Sequence, residues 1–387
     1  MTFSTLALIT ALGLLGPLLS AKRRWHIPVV LGPVLGGVIF GATGFRVLDA
    51  SEPTFQFLAN VGFAIVLFLV GTHIPVRDPA VRSALGGGAL RAIAIGLIAA
   101  VLGGVLSQVF DTGHAALYAV LMASSSTSIV QSVIKMNGLT DPSLLGLTAQ
   151  VAIADVVCIV ALPLAINPPT ALRAAVGALA VIAAAFVLYL ILRWSEKTGL
   201  RRHLEEVSEE REFALQLRIS LVGLFILAAI ATTTHVSIMI AGFTLGLAVS
   251  AVGEPRRMAS QLFAVGEGFL GPLFSVWLGA VVDLRHLIEH PKFIVLGLAL
   301  GLGSLLAHGA MRFAGLPAPL AVLSAAQVSL PVSAVTVGEE LHVLASGEGA
   351  AFIVGGVVTV LGVAVAASRA TRLMGDPAMA QMNQLKM

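Results

Sequence analysis

Thirteen apolar runs, most near the ~20 residues that a bilayer crossing requires, follow one another through this chain, and they leave it a single kind of environment. They lie at 4–20, 27–45, 56–76, 84–110, 114–135, 143–167, 171–193, 213–233, 236–251, 262–283, 293–314, 319–344 and 347–367. Between them the loops are short, and only 11% of the 387 residues are charged, against roughly 25% in a soluble domain, so a water-soluble fold is excluded. Alternating ten-residue strands of the kind that close an outer-membrane barrel are absent from the sequence. The forty glycines suit helices whose backbones touch, because small residues set helix packing in lipid. The expectation is an all-α polytopic membrane protein of about 13 transmembrane helices.

Basic residues test that count. Of the 23 Lys and Arg, seventeen fall in or beside the loops after odd-numbered spans and in the C-terminal tail, four (Arg46, Arg173, Arg285 and Lys292) beside even-numbered loops, and Arg91 and Arg218 inside spans. The positive-inside rule then puts the odd loops and the C-terminus in the cytoplasm and the N-terminus outside. Lys22, Arg23 and Arg24 follow the first apolar run instead of preceding it, the opposite of a signal peptide, so an uncleaved first helix is expected. The pI near 9.3 reflects these loop charges, and no nucleic-acid partner is implied. Cys158 is the only cysteine, which rules out an internal disulfide, and no Cys/His spacing suggests zinc. Neither a cofactor nor a resident metal is expected.

The chemistry concentrates in residues 121–167. Asp155 stands near the middle of 143–167, where hydrocarbon cannot solvate a carboxylate; a central Asp costs about 2.5–3.5 kcal/mol on insertion scales and usually faces a wet cavity. The preceding span carries Ser124, Ser125, Ser126, Thr127 and Ser128 in succession, side chains that compete with helical hydrogen bonding. In the second half, Gln327, Ser329, Pro331, Ser333 and Thr336 interrupt 319–344, and Pro331 removes a backbone donor. The hydrophilic loop 194–212 divides the chain near its middle. Paired interruptions in corresponding halves point to two inverted repeats with two discontinuous crossing helices and a binding site at the midplane. Glu267, Glu339 and Glu340 fall nearer span ends, which leaves Asp155 by elimination as the deep acid.

With these residues assembled, the sequence resembles the monovalent cation:proton antiporter superfamily, in the branch of the bacterial sodium/proton antiporters and the potassium-efflux antiporters. The likeness runs through Pro28-Val-Val-Leu-Gly32 to Gly36-Gly37, Val66-Leu-Phe-Leu-Val-Gly71, Ser125-Ser126-Thr127 with Ile129-Val130, Ile240-Ala-Gly-Phe-Thr-Leu-Gly246, and Pro272-Leu-Phe274 with Gly279 and Asp283. The resemblance implies a dimer-forming scaffold at 1–83 and 213–283, core ion-transport helices at 84–167 and 293–367, a linker helix and cytoplasmic loop over 171–212, and a short cytoplasmic tail at 368–387. Two positions depart from the family pattern: Ala154 stands where Asp, Asn or Gln usually precedes the essential Asp, and Gly303 stands about where many members carry Lys or Arg. The chain stops at Met387, before the nucleotide-binding domain of the potassium-efflux members.

The reading is an antiporter of the inner membrane, not an enzyme, that exchanges Na⁺ or K⁺ for H⁺ at Asp155 and works as a homodimer. Ser125, Ser126, Thr127, Gln327 and Ser329 are the candidate ion-pathway residues, with small-residue packing as their bland alternative. His308 is either an interhelical hydrogen-bonding group or a proton tuner, since histidine titrates near neutral pH. Arg91 and Arg218 lie close enough to span ends to snorkel. Alternatives are a sodium-coupled symporter or cation channel on a related scaffold, or a non-transporting membrane sensor. Against the symporter, two tyrosines and three tryptophans are few for an organic-solute cavity.

Overall fold

The computed structural model describes residues 1–20, 29, 31–74, 77, 79, 83–137, 139, 141–167, 171–200, 213–234, 236–253, 256–281, 285, 287, 290–327 and 329–374. Lys22, Arg23, Arg24, Asp283 and the charged stretch 201–212 lie outside the described residues, as does the side chain of Ser329.

The described residues are helical. In chain order the helices are α1 (Phe3–Gly13), α2 (Leu15–Ser20), α3 (Leu31–Phe40), α4 (Pro53–Thr72), α5 (Leu85–Phe110), α6 (Ala115–Ala123), α7 (Thr127–Asn137), α8 (Ser143–Ile166) and α9 (Ala171–Lys197). They continue with α10 (Leu215–Thr233), α11 (Ile238–Val252), α12 (Arg256–Val265), a π-helical turn at Gly266–Leu270, α13 (Gly271–Val281), α14 (Lys292–Gly309), a 3₁₀ turn at Ala310–Ala314, α15 (Ala318–Leu323), α16 (Ser329–Glu340) and α17 (Glu348–Met374). Among the described residues nine helical segments are long and apolar enough to cross a membrane. The other four expected crossings, 27–45, 114–135, 236–251 and 319–344, correspond to shorter or interrupted helices. The full count of thirteen is therefore not reached by helix length alone.

The chain forms two compact units, one of residues 1–74 and 172–285, the other of 75–171 and 286–387. The first is held by backbone contact at glycine. A Cβ on Gly242 would lie 2.2 Å from the Ala64 carbonyl oxygen, and one on Gly246 would lie 2.3 Å from that of Phe68. The motifs Val66–Gly71 and Ile240–Gly246 thus face each other across the α4–α11 contact, around a core that includes Phe68, Leu224, Leu227 and Ile240. In the same unit a Cβ on Gly37 would meet the Val276 carbonyl oxygen at 2.1 Å, and one on Gly279 that of Val34 at 2.0 Å. Packing, not ion binding, accounts for these glycines.

Substituting Gly279 with Val should therefore lower thermal stability and monodisperse yield in detergent, because overpacking a tight contact costs about 1–3 kcal/mol or more. Gly86→Ala is the control, since nothing lies within 4 Å of its Cβ position. Equal melting temperatures for the two variants would contradict the close-approach role.

The second unit holds both interrupted crossings. α5 ends where Asp111 adopts a left-handed conformation (φ 52°), which Asp tolerates better than most residues, and Gly113 (φ 76°) completes the turn into α6. A Cβ on Gly103 would lie 2.7 Å from the Ala115 carbonyl oxygen, and one on Gly88 would lie 2.8 Å from the Gln150 amide nitrogen, so α5 lies closely against α6 and α8. The Arg91 guanidinium reaches α8, where a Cβ on Gly146 would collide with Nη2 at 2.4 Å. Ile95, Leu147, Val151, Leu320 and Leu323 form the apolar core there.

Candidate ion site

The first crossing stops being helical at Ser124, whose backbone turns extended (φ −73°, ψ 152°), and helix resumes at Thr127. The second stops after Leu323 and resumes at Ser329. The two interruptions are hydrogen-bonded to each other. Ser125 Oγ donates to the Ser324 carbonyl oxygen at 2.7 Å, and Ser124 Oγ donates to Gln327 Oε1. Gln327 Nε2 in turn reaches Ser304 Oγ on α14 at 3.5 Å. Ser124, Ser125, Ser126, Thr127 and Gln327 are all buried.

Asp155 faces the first interruption from α8. It is 2% exposed, and its Oδ2 accepts the Thr127 backbone N–H at 2.9 Å. That amide is the first of an eleven-residue helix, so the carboxylate sits at the positive end of a helix dipole and on one of its four orphan donors. No Lys or Arg among the described residues forms a salt bridge with it. The buried Thr127 hydroxyl lies beside the same carboxylate, so its oxygen is placed to serve as a ligand.

His308 is fully buried and joins a network centred on Ser324. Ser324 Oγ lies 2.7 Å from the Ala321 carbonyl oxygen, accepts from Gln150 Nε2 at 3.1 Å and shares a hydrogen bond with His308 Nδ1 at 2.9 Å. The Gln150 Oε1 is left buried without a hydrogen-bond partner, while the His308 ring also meets the backbone of Met122 and Ser124.

The structure thus joins Ser125 and Gln327 in the two interruptions and hydrogen-bonds Thr127 to Asp155, with His308 tied to the second interruption through Ser324. Ser126 is buried in the first, and of the Ser329 side chain nothing is described. Gln150, Ser304 and Ser324 escaped the sequence reading because each is an isolated polar residue in an apolar run. Gln150 precedes Asp155 by five positions, which on a helix puts it about 140° round, toward Ser324. Gly303 also gains a physical account: its Cβ position is 2.6 Å from Met122 Sδ, so Met122 occupies the space that a side chain there would need.

A second acid, Glu348, is also fully buried. It is the first residue of α17, and His114 and Tyr118 cover it.

Comparison with known proteins agrees with this architecture. Residues 7–369 match the family model described as sodium/hydrogen exchanger, transmembrane. The glutathione-regulated potassium-efflux system protein KefC of Enterobacter sp. (strain 638) is 29% identical over 294 residues, which is 70% of this chain and 44% of KefC. The putative Na(+)/H(+) antiporter YjbQ of Bacillus subtilis (strain 168) is 23% identical over 382 residues, 92% of this chain and 61% of YjbQ. The chain therefore spans about half the length of these curated relatives. The structure of the sodium proton antiporter MjNhaP1 from Methanocaldococcus jannaschii superposes with a TM-score of 0.62 at 19% identity, covering 96% of this chain and 97% of that one; this likeness is one of fold. With the match covering nearly the whole chain, this multi-pass membrane protein belongs to the sodium/hydrogen exchanger family, within the monovalent cation:proton antiporter superfamily.

Proposed function

We propose that this protein is a secondary active antiporter that exchanges Na⁺ or K⁺ for H⁺ by competition at the single carboxylate of Asp155. The observation that carries the reading is the placement of that carboxylate: buried, held by the Thr127 amide at a helix start, and without a basic partner among the described residues. A buried anion in such a place is neutralised by a proton or by a cation, and the two exclude each other. The Thr127 hydroxyl, Ser125, Ser126, Gln327 and Ser329 are the candidate ligands and pathway groups. His308, tied to the second interruption through Ser324, is the candidate tuner of the site's proton affinity.

Alternating access would come from the core unit moving against the scaffold unit, in the manner of inverted-repeat transporters whose site lies between discontinuous helices. The scaffold would supply the homodimer contact. The distribution of Lys and Arg supports an inner-membrane orientation with the N-terminus outside and the C-terminus in the cytoplasm. Reconstituted vesicles containing a pH-sensitive dye test the reading directly. Imposing a Na⁺ or a K⁺ gradient, each alone, should drive proton movement with at least one of them, and no proton movement with either would contradict exchange.

Replacing Thr127 with Val removes the hydroxyl and keeps the backbone amide that holds Asp155. Apparent cation affinity should fall by about tenfold, the scale of a lost hydrogen bond or ligand to a charged group, with little change in the folded yield. Concentration dependence of the dye signal measures it. An unchanged half-saturating concentration would return Thr127 to a packing role.

A further inference from the structure

The buried carboxylate of Glu348 has no part in the exchange mechanism. Its Oε1 accepts the Tyr118 hydroxyl at 2.6 Å and bonds His114 Nδ1 at 2.7 Å, while its Oε2 accepts the Ala345 backbone N–H at 2.9 Å. Glu348 is 0% exposed, but the His114 side chain is 16% exposed. Solvent protons can therefore reach one end of a pair whose other end is sealed. The imidazole sits outside the helices, in the turn before α6, and the Glu348 hydrogen bond raises its pKa above the ordinary value, against a smaller opposing effect of burial.

We propose that His114 and Glu348 form a second proton-binding site, separate from Asp155, that holds one proton at the end of α6 opposite the interruption. α6 carries His114 and Tyr118 at one end and runs directly into Ser124 and Ser125 at the other, a helix of nine residues or about 14 Å. α17 supplies Glu348, and its Phe352 packs edge-on against Tyr118 with ring centroids 6.1 Å apart. Protonated, the pair is an imidazolium and a carboxylate that tie α6 to α17. Its folded pKa being raised, the tie is complete at low pH and is lost as pH rises through that pKa. Deprotonation leaves Glu348 as a buried anion facing a neutral ring, and the tie weakens.

Other titratable groups modulate this site without replacing it. Glu339 on α16 has its Oε1 3.4 Å from the Cβ position of Gly349, the residue after Glu348. Asp111 caps α5, Lys292 opens α14 and His342 follows α16. Arg91, Asp155 and His308 lie farther along α5, α8 and α14. No titratable residue lies on α15. Under the charge distribution of the loops the pair belongs to the outer face, so it would report external pH.

The site stands on its own geometry, while its effect on turnover rests on the exchange reading, and two measurements keep these apart. In protein labelled with ¹⁵N-histidine and held in nanodiscs, His114, assigned by its loss in His114→Gln, should titrate above the ordinary histidine range of about 6.5, and its midpoint should fall in Glu348→Gln. An unshifted midpoint would overturn the proposal whether or not the protein transports. In vesicles at saturating cation, where competition at Asp155 is relieved, wild-type exchange should still slow as the pH on the His114 side is lowered, and His114→Gln should remove that slowing. The same profile in His114→Gln and wild type would overturn the regulatory role even if Glu348→Gln fails to fold.

Discussion

Asp155→Asn should reduce cation-driven proton movement to the rate of empty vesicles while leaving the protein folded. Asparagine keeps the size of the side chain, and its carbonyl oxygen can still accept the Thr127 N–H that Asp155 Oδ2 accepts at 2.9 Å, so the junction between α8 and the first interruption survives. What is lost is the charge: an amide neither releases a proton nor neutralises a cation. Gel-filtration profile and melting temperature in detergent should match wild type, which separates loss of chemistry from loss of fold. Residual exchange above background in this variant would mean that a different group carries the proton.

Transport should also be electroneutral. Among the described residues the carboxylate has no basic partner: Ala154 precedes it, and Met122 Sδ lies 2.6 Å from the Cβ position of Gly303. One anion that takes either one proton or one monovalent cation moves no net charge in a full cycle. A cycle that moved one net charge would change its driving force by about 2.3 kcal/mol for each 100 mV, whereas a one-for-one exchange is indifferent to potential. A solid-supported membrane should therefore show no sustained current during proton flux that a dye records in the same vesicles. Sustained current that scales with flux would require a second charged group in the cycle.

Both interruptions were legible in the sequence because their signal is local. The hydroxyl run from Ser124 marks the first break. Of the residues expected to interrupt the second crossing, Gln327 falls in the break, while Pro331, Ser333 and Thr336 lie within α16, Pro331 in its first turn where no intrahelical donor is lost. Asp155 was legible because a charge inside an apolar run is costly anywhere along it. Ser324 was not, since a lone serine in a helix is common in lipid, and only the fold reveals that Gln150, His308 and Ser125 converge on it. Glu348 was missed for a related reason. Its burial depends on Tyr118, 230 positions away, a contact that no local pattern announces. The glycine motifs were recognised as belonging to the family before their physical cause was visible, which is the contact of Gly242 with Ala64 and of Gly279 with Val34.

Competition at Asp155 can be read without any gradient, on purified protein in weakly buffered detergent solution with a pH indicator. Adding the transported cation to protein whose carboxylate is protonated should release close to one proton per chain, with the same concentration dependence as transport, and Asp155→Asn should release none. Cation binding without proton release in wild type, or undiminished release in Asp155→Asn, would contradict exchange at a single carboxylate.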